Sequence, residues 1–212
     1  MTYYKFLTAE GKGPYSGYAW PLPTKNDDGT WAPGEWVPPL EGEPIACKYG
    51  YHLCKADQLI EWANATLYEV EVAGCALVED YGDKCATTTA CRLVRQIEAY
   101  NERTMRLFAC DCAEHVLHLY EEKYPDDKRV RQCIETARRY ANGEATKQEL
   151  TAARAAASWA AAWAAAWAAA WDAARDAARA AAWAAARDAA RDAARQREQE
   201  WQRQRLGEML GL

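Results

Sequence analysis

Residues 151–195 read TAARAAASWAAAWAAAWAAAWDAARDAARAAAWAAARDAARDAAR. Of these, 28 are alanine, and a large residue stands at every fourth position from Trp159 onward. The row is Trp159, Trp163, Trp167, Trp171, Arg175, Arg179, Trp183, Arg187, Arg191 and Arg195. Aspartates follow four of its members, at Asp172, Asp176, Asp188 and Asp192. No Gly or Pro interrupts the chain between Glu144 and Leu206. Alanine loses no side-chain entropy in a helix and arginine loses little, so the composition predicts a helix throughout. Continuous over residues 146–206, it would be a rod of roughly 90 Å at about 1.5 Å per residue.

The period is 4.0, not 3.6. In an α-helix a step of four residues overshoots a full turn by about 40°, so the row winds around the cylinder with a right hand. Three arrangements can satisfy it. Partner helices can coil around the rod; the rod can fold back on the helices before it; or the backbone can be underwound toward π geometry, which straightens the row but is rare beyond one turn. Each Asp faces an Arg three residues on, as in Asp172 and Arg175, a pairing worth only a few tenths of a kcal/mol. Four tryptophans one turn apart are different, because such an apolar surface calls for a covering partner. That partner is expected to be the protein's own preceding helices or a second copy, which would make a homo-oligomer. The row residues are therefore the candidate partner-binding or packing positions.

Upstream of the repeat, Thr146-Lys-Gln-Glu149 has the reciprocal capping pattern that starts a helix. Asn142-Gly143 has the composition of a helix stop. Before it, residues 128–140 form a helical pattern with Val130, Cys133, Ile134, Ala137 and Ala141 inward. An earlier helix is expected from about Asn101 to Glu122, with Met105, Phe108, Ala109, Cys112, Val116, Leu119 and Tyr120 on one face and Pro125 as its stop.

Residues 1–97 have a different texture. Residues 2–8 and Thr66–Val72 alternate as strands, and Tyr18–Trp20, Ala76–Val78 and Thr87–Ile97 are expected as further ones. Residues 24–44 are rich in Pro, Gly, Asn and Asp and read as a loop with Trp31 and Trp36 as packing anchors. Residues 56–63 read as a short helix. The expected fold class is α+β: a small, mostly antiparallel sheet module at 1–97, a two-helix segment at 98–145, a long Ala-rich helix at 146–206, and a tail at 207–212.

The net charge of −5 is spread as 16 Lys/Arg against 22 Asp/Glu over residues 1–143 and 10 against 8 over 144–205. No concentrated basic face is present, which argues against nucleic acid. The first residues lack a basic start followed by an apolar core, and the Ala-rich stretch carries Trp throughout instead of at its ends, so neither a signal peptide nor a membrane span is expected. With no secretory signal, the 8 cysteines are expected as reduced thiols in a cytoplasm.

Two constellations carry ligand-type residues. Cys47, His52 and Cys54 offer soft ligands, but a fourth at zinc spacing is missing, and a turn with a hydrogen-bonded His52 is the competing reading. Asp111, His115 and His118 fall at i, i+4 and i+7, a spacing that permits a metal or general-base site but also describes a polar helix flank. Asp83-Lys84 and Thr87-Thr88-Thr89 lack a glycine-rich phosphate cradle, and no nucleophile elbow or His-Glu-x-x-His is present. No cofactor is expected, and the balance leans away from an enzyme.

Residues 103–142, with Asp111-Cys-Ala-Glu114 and Tyr124-Pro-Asp-Asp127, resemble a family of immunity proteins of bacterial polymorphic toxin systems. The resemblance implies a small helical protein that binds a toxin, and it brings no catalytic residues. Residues 1–97, through Tyr4-Lys-Phe, Gly17-Tyr-Ala-Trp, Cys47 with Gly50-Tyr-His-Leu-Cys54, and Leu93-Val-Arg, resemble a module of bacterial and phage proteins that often precedes tandem-repeat tails. Three functions are thus in view: a non-enzymatic, immunity-like protein binder; a repeat-based, self-assembling structural protein; and a metal-dependent enzyme or metal-binding protein.

Overall fold

The structure, a computed structural model, describes residues 2–74, 78–157 and 180–212, the last stretch with side chains from residue 193 onward. The chain divides into two compact units, Met1–Asn101 with Arg203–Leu212, and Glu102–Gln202. The overall class is α+β, with antiparallel pairing throughout the described sheets.

In the first unit, β1 (Tyr3–Leu7) and β8 (Cys91–Gln96) flank β5 (Thr66–Val72) in one antiparallel sheet. Tyr3 lies opposite Val70 and Leu7 opposite Thr66. Alternation along β8 buries Cys91 and Leu93 and leaves Arg92 and Arg95 to pair with Glu71 and Glu69 on β5. A second sheet has the order β4 (Tyr51–Leu53), β7 (Cys85–Thr87), β6 (Glu79–Asp80). Tyr4 and Cys54 exchange backbone hydrogen bonds at 2.8 Å in both directions, which sews this sheet to the outer edge of β1. The far edge of β8 is covered too, because Val37 N–H donates to Cys91 O and Gly34 N–H to Leu93 O. A hairpin with residues 26–30 as its loop joins β2 (Thr24–Lys25) to β3 (Trp31–Ala32). A 3₁₀ turn at Ala56–Gln58 leads into the single-turn helix α1 (Leu59–Trp62).

The core gathers Leu7, Trp20, Val37, Leu53, Tyr68, Val70, Cys85, Cys91 and Leu93. Burying Leu7, Leu53 and Leu93, all within 1% of complete, stabilises the unit by about 2 kcal/mol per side chain before entropy is charged.

Several expectations are corrected here. Tyr18–Trp20 is no strand: Ala19 makes a single bridge with Lys12, and Trp20 turns into the core instead. Trp36 stays 41% exposed under the Arg92 guanidinium, 4.6 Å from its ring, while its neighbour Val37 is the buried anchor. Residues 87–97 are not one strand, since Thr88–Ala90 separate β7 from β8. Ala76 and Leu77, part of another expected strand, lie outside the described residues.

In the second unit, α2 (Glu102–His115) and α3 (Leu117–Glu121) replace the single helix expected from 101 to 122. Val116 breaks it at φ −100°, ψ 1°. No Pro or Gly is present there. The His118 ring, through Nδ1–H, donates to His115 O at 3.1 Å, and Leu119 N–H closes a tighter bond to Val116 O. The break rotates everything after it. Leu117 becomes the buried residue, while Val116 and Leu119 are 38% and 62% exposed. Helix α4 (Arg129–Ala141) packs Ile134, Val130 and Ala137 against Cys110 and Leu117, as its periodicity predicts. It ends at Asn142, and Gly143 follows at φ +77°, the left-handed backbone that favours glycine.

Residues 147–157 are helical (α5). The capping box is formed: Thr146 N–H and hydroxyl donate to Glu149 Oε2, and Glu149 N–H donates to Thr146 Oγ1. Helix α6 (Ala180–Leu210) is 31 residues long and α-helical, so the repeat from Ala180 to Arg195 is not a π-helix. Helix α6 also runs through Gly207, where a tail was expected, and stops only at Gly211. Leu206 and Leu210, one turn apart and 1% and 5% exposed, bury enough surface to outweigh the roughly 1 kcal/mol helix penalty of glycine. Residues 158–179, which carry Trp159, Trp163, Trp167, Trp171, Arg175 and Arg179, lie outside the described residues, as does the question of one continuous rod.

Candidate functional site

The first ligand constellation does not assemble. Gly50, at φ +102°, turns the chain into β4, and His52 Nε2 there accepts the backbone N–H of Cys47 at 2.9 Å. Burial, with the Lys5 and Lys84 cations adding to it, lowers the affinity of this imidazole for a proton. It is therefore a neutral acceptor that pins a loop. Cys47 is exposed in left-handed backbone (φ +60°), whereas Cys54 is buried and its thiol pushed up to about 12, mainly by burial. A thiol held protonated is a poor nucleophile and a poor ligand.

The second constellation is dispersed by the break at Val116. Asp111 is 9% exposed and accepts Arg138 at 2.6 Å, with Glu114 on the same guanidinium. His118 is bonded to His115 O. The His115 ring lies flat on Trp201, centroids 3.8 Å apart and planes within 5°, and its Nδ1 meets Glu198 at 2.7 Å. Gln202 donates to the other oxygen of Glu198, and the Cys112 thiol beside them is pushed up to about 11, mainly by burial and then by Glu198. Among the described residues, no group of three or more His, Cys, Asp or Glu side chains is placed to hold a metal ion.

Trp201 and Glu198 were missed by sequence reasoning. Trp201 stands out of the four-residue register of the tetrad row, and that offset is the one signal that marks it as a packing residue of a different kind. Of the row itself, Trp183, Arg187 and Arg191 lie on the described backbone of α6, and Arg195 is exposed on it. In the loop between α3 and α4, Asp127 is engaged too. Asp127 accepts Arg129 and Tyr120, and the Arg129 hydrogen bonds hold its carboxyl well below the usual range. The helical unit thus presents ion pairs, with Val116 and Leu119 as exposed apolar residues.

A family model described as "Imm-5 like putative immunity protein" matches residues 95–209, more than half of the 212 residues. The chain belongs to the Imm-5 like family. The matched region begins at the end of β8 and takes in α2 to α6, so the helical half and its tetrad row carry the family assignment. No curated protein and no solved structure matches the chain. Membership brings a role in binding a protein partner. Within the described residues no helix is long and apolar enough to cross a membrane.

Proposed function

We propose that this chain is a non-enzymatic, immunity-type protein that binds and neutralises a toxin through its helical half. The observation that carries the reading is the family match over residues 95–209. The side-chain chemistry supports it. The thiols of Cys54, Cys91 and Cys112 are pushed up to about 12, about 12 and about 11 by burial, and His52 and His115 are committed to a backbone amide and to a Trp–Glu clasp. Residues 1–97 are read as a separate sheet module ahead of the family region. Neutralisation takes place in the cytoplasm, and the contacts come from the tetrad row, with Trp and Arg as the anchors that interfaces favour.

The experiment is co-expression with toxin-domain proteins taken from the genome that encodes this chain. Restored growth and a complex that survives gel filtration support the reading; continued arrest with no complex sinks it. The four-residue repeat favours a second reading, self-association of the α6 region into a structural assembly. Sedimentation separates the two, because a concentration-independent monomer excludes assembly.

A further inference from the structure

Helix α4 ends on the one Asn-Gly pair in the chain; the other three asparagines, Asn26, Asn64 and Asn101, precede Asp, Ala and Glu. Asn142 is exposed, and its side chain is held by one contact. Arg103, in the first turn of α2, donates Nη2–H to Asn142 Oδ1 at 2.7 Å. That guanidinium forms no ion pair among the described residues. The backbone beyond Asn142 is tied back as well. Asn142 stands at φ −88°, ψ 0°, and Gly143 at φ +77°. Gly143 N–H donates to Tyr140 O at 3.1 Å and Glu144 N–H to Arg139 O at 2.8 Å.

We propose that Asn142 is a site of hydrolytic modification, where water converts the cap asparagine to aspartate and isoaspartate with release of ammonia. The Gly143 nitrogen, its proton passed to hydroxide, bonds to Asn142 Cγ. The Cγ–Nδ2 bond breaks, ammonia leaves, and a five-membered imide is closed. Water then adds to either imide carbonyl and breaks that carbonyl's bond to the ring nitrogen, leaving a carboxylate. Glycine suits the first step because no β-carbon shields its nitrogen or restrains the backbone swing that ring closure needs. At ψ 0° that nitrogen does not yet face Cγ. Rotation about ψ carries it there by moving the chain after Asn142, which breaks the Gly143 and Glu144 hydrogen bonds. The amide stays on Arg103, whose cation is already in place for the negative charge that Oδ1 gathers as the ring closes. The same guanidinium then faces the new carboxylate, a charged partner it lacks beforehand. Two exposed hydrogen bonds at a helix end slow the folded chain about thirtyfold relative to the unfolded one.

The test incubates the full chain in mildly alkaline buffer, with and without urea, and maps its peptides by mass spectrometry over time. The peptide holding residue 142 is expected to exchange ammonia for water ahead of those holding Asn26, Asn64 and Asn101, and about thirtyfold faster in urea than in the folded chain. Arg103→Met slows the folded-state conversion about tenfold and leaves the rate in urea unchanged, while Arg103→Lys keeps part of the native rate. Circular dichroism checks that both variants fold, and the native chain alone decides the site if they do not. No conversion at residue 142, earlier conversion of another asparagine, or equal rates with and without urea overturns the proposal. A folded Arg103→Met chain that converts as fast as the native one, or faster, overturns the part given to Arg103.

Discussion

Replacing Lys5 by Met is expected to stabilise the protein at neutral pH and to remove a rise in stability that the native chain shows in alkali. Lys5 sits on β1 on the same face as Leu7, half-buried, with its ammonium donating to His52 O at 2.7 Å and lying 5.2 Å from the Trp20 ring centroid. Among the described residues no carboxylate pairs with it, and burial lowers its proton affinity from 10.5 to about 8. At about 1.4 kcal/mol per unit, that displacement corresponds to roughly 3 kcal/mol of disfavoured charge in the folded state. Methionine fills a similar volume without charge but gives up the hydrogen bond and the cation–ring contact, each worth about 1 kcal/mol. The net gain at pH 7 is therefore about 1 kcal/mol. The sign of the pH dependence follows from which state holds the proton. Below pH 8 both folded and unfolded chains carry the charge, and the full penalty applies. Between about 8 and 10.5 the unfolded chain binds more protons, so stability rises with pH, and above that range the penalty is gone. Buried tyrosines and thiols such as Tyr51 and Cys91, raised to about 12, push the other way, and both proteins share them. The difference between native and Lys5→Met unfolding free energies, measured by denaturant titration from pH 6.5 to 10, isolates Lys5. A difference independent of pH, or a variant less stable at pH 7 by more than about 1 kcal/mol, would refute the reasoning.

Three further outcomes are expected. Asp111→Asn leaves the half-buried Arg138 with a weaker partner and costs about 2 kcal/mol of helical-unit stability, read by thermal melting; a loss below about 0.5 kcal/mol contradicts the pair's structural role. Trp201→Ala removes the stacking surface of His115 and costs about 1–2 kcal/mol, with a shift of the His115 ring resonances as the specific sign. In thiol labelling of the native chain, Cys47 reacts quickly, while Cys54, Cys85 and Cys91 react only on unfolding; mass spectrometry that finds Cys91 modified as fast as Cys47 would show the core placement to be wrong.

Some of this architecture was plain from residues alone. Thr66–Val72 reads as a strand because alternation is a local property, and Thr146 with Glu149 reads as a helix start because both capping partners lie within one turn. The failures are all non-local. Nothing in Cys-Ala-Glu-His-Val-Leu announces that a His118-to-carbonyl bond will break the helix at Val116, and that one break moved burial from Val116 and Leu119 to Leu117. Gly207 looks like a stop until Leu206 and Leu210 are seen in the first unit's core. Val37, and not the expected Trp36, is the buried anchor because the register against β8 selects which side chain turns inward. The ligand constellations failed for the same reason. Spacing along the chain brings donors near one another, but His52 was already held by a backbone amide and His115 by an aromatic ring from a helix more than eighty residues away.

The central claim is that the Imm-5 like region binds and neutralises a protein toxin. The most direct measurement is binding of the purified chain to purified toxin-domain proteins from the same genome, by calorimetry, with inhibition of the toxin followed in parallel. The account predicts a stoichiometric complex that silences the toxin, weakened when Arg187, Arg191 and Arg195 are changed together to Ala. A toxin that remains fully active beside a saturating excess of this protein would contradict it.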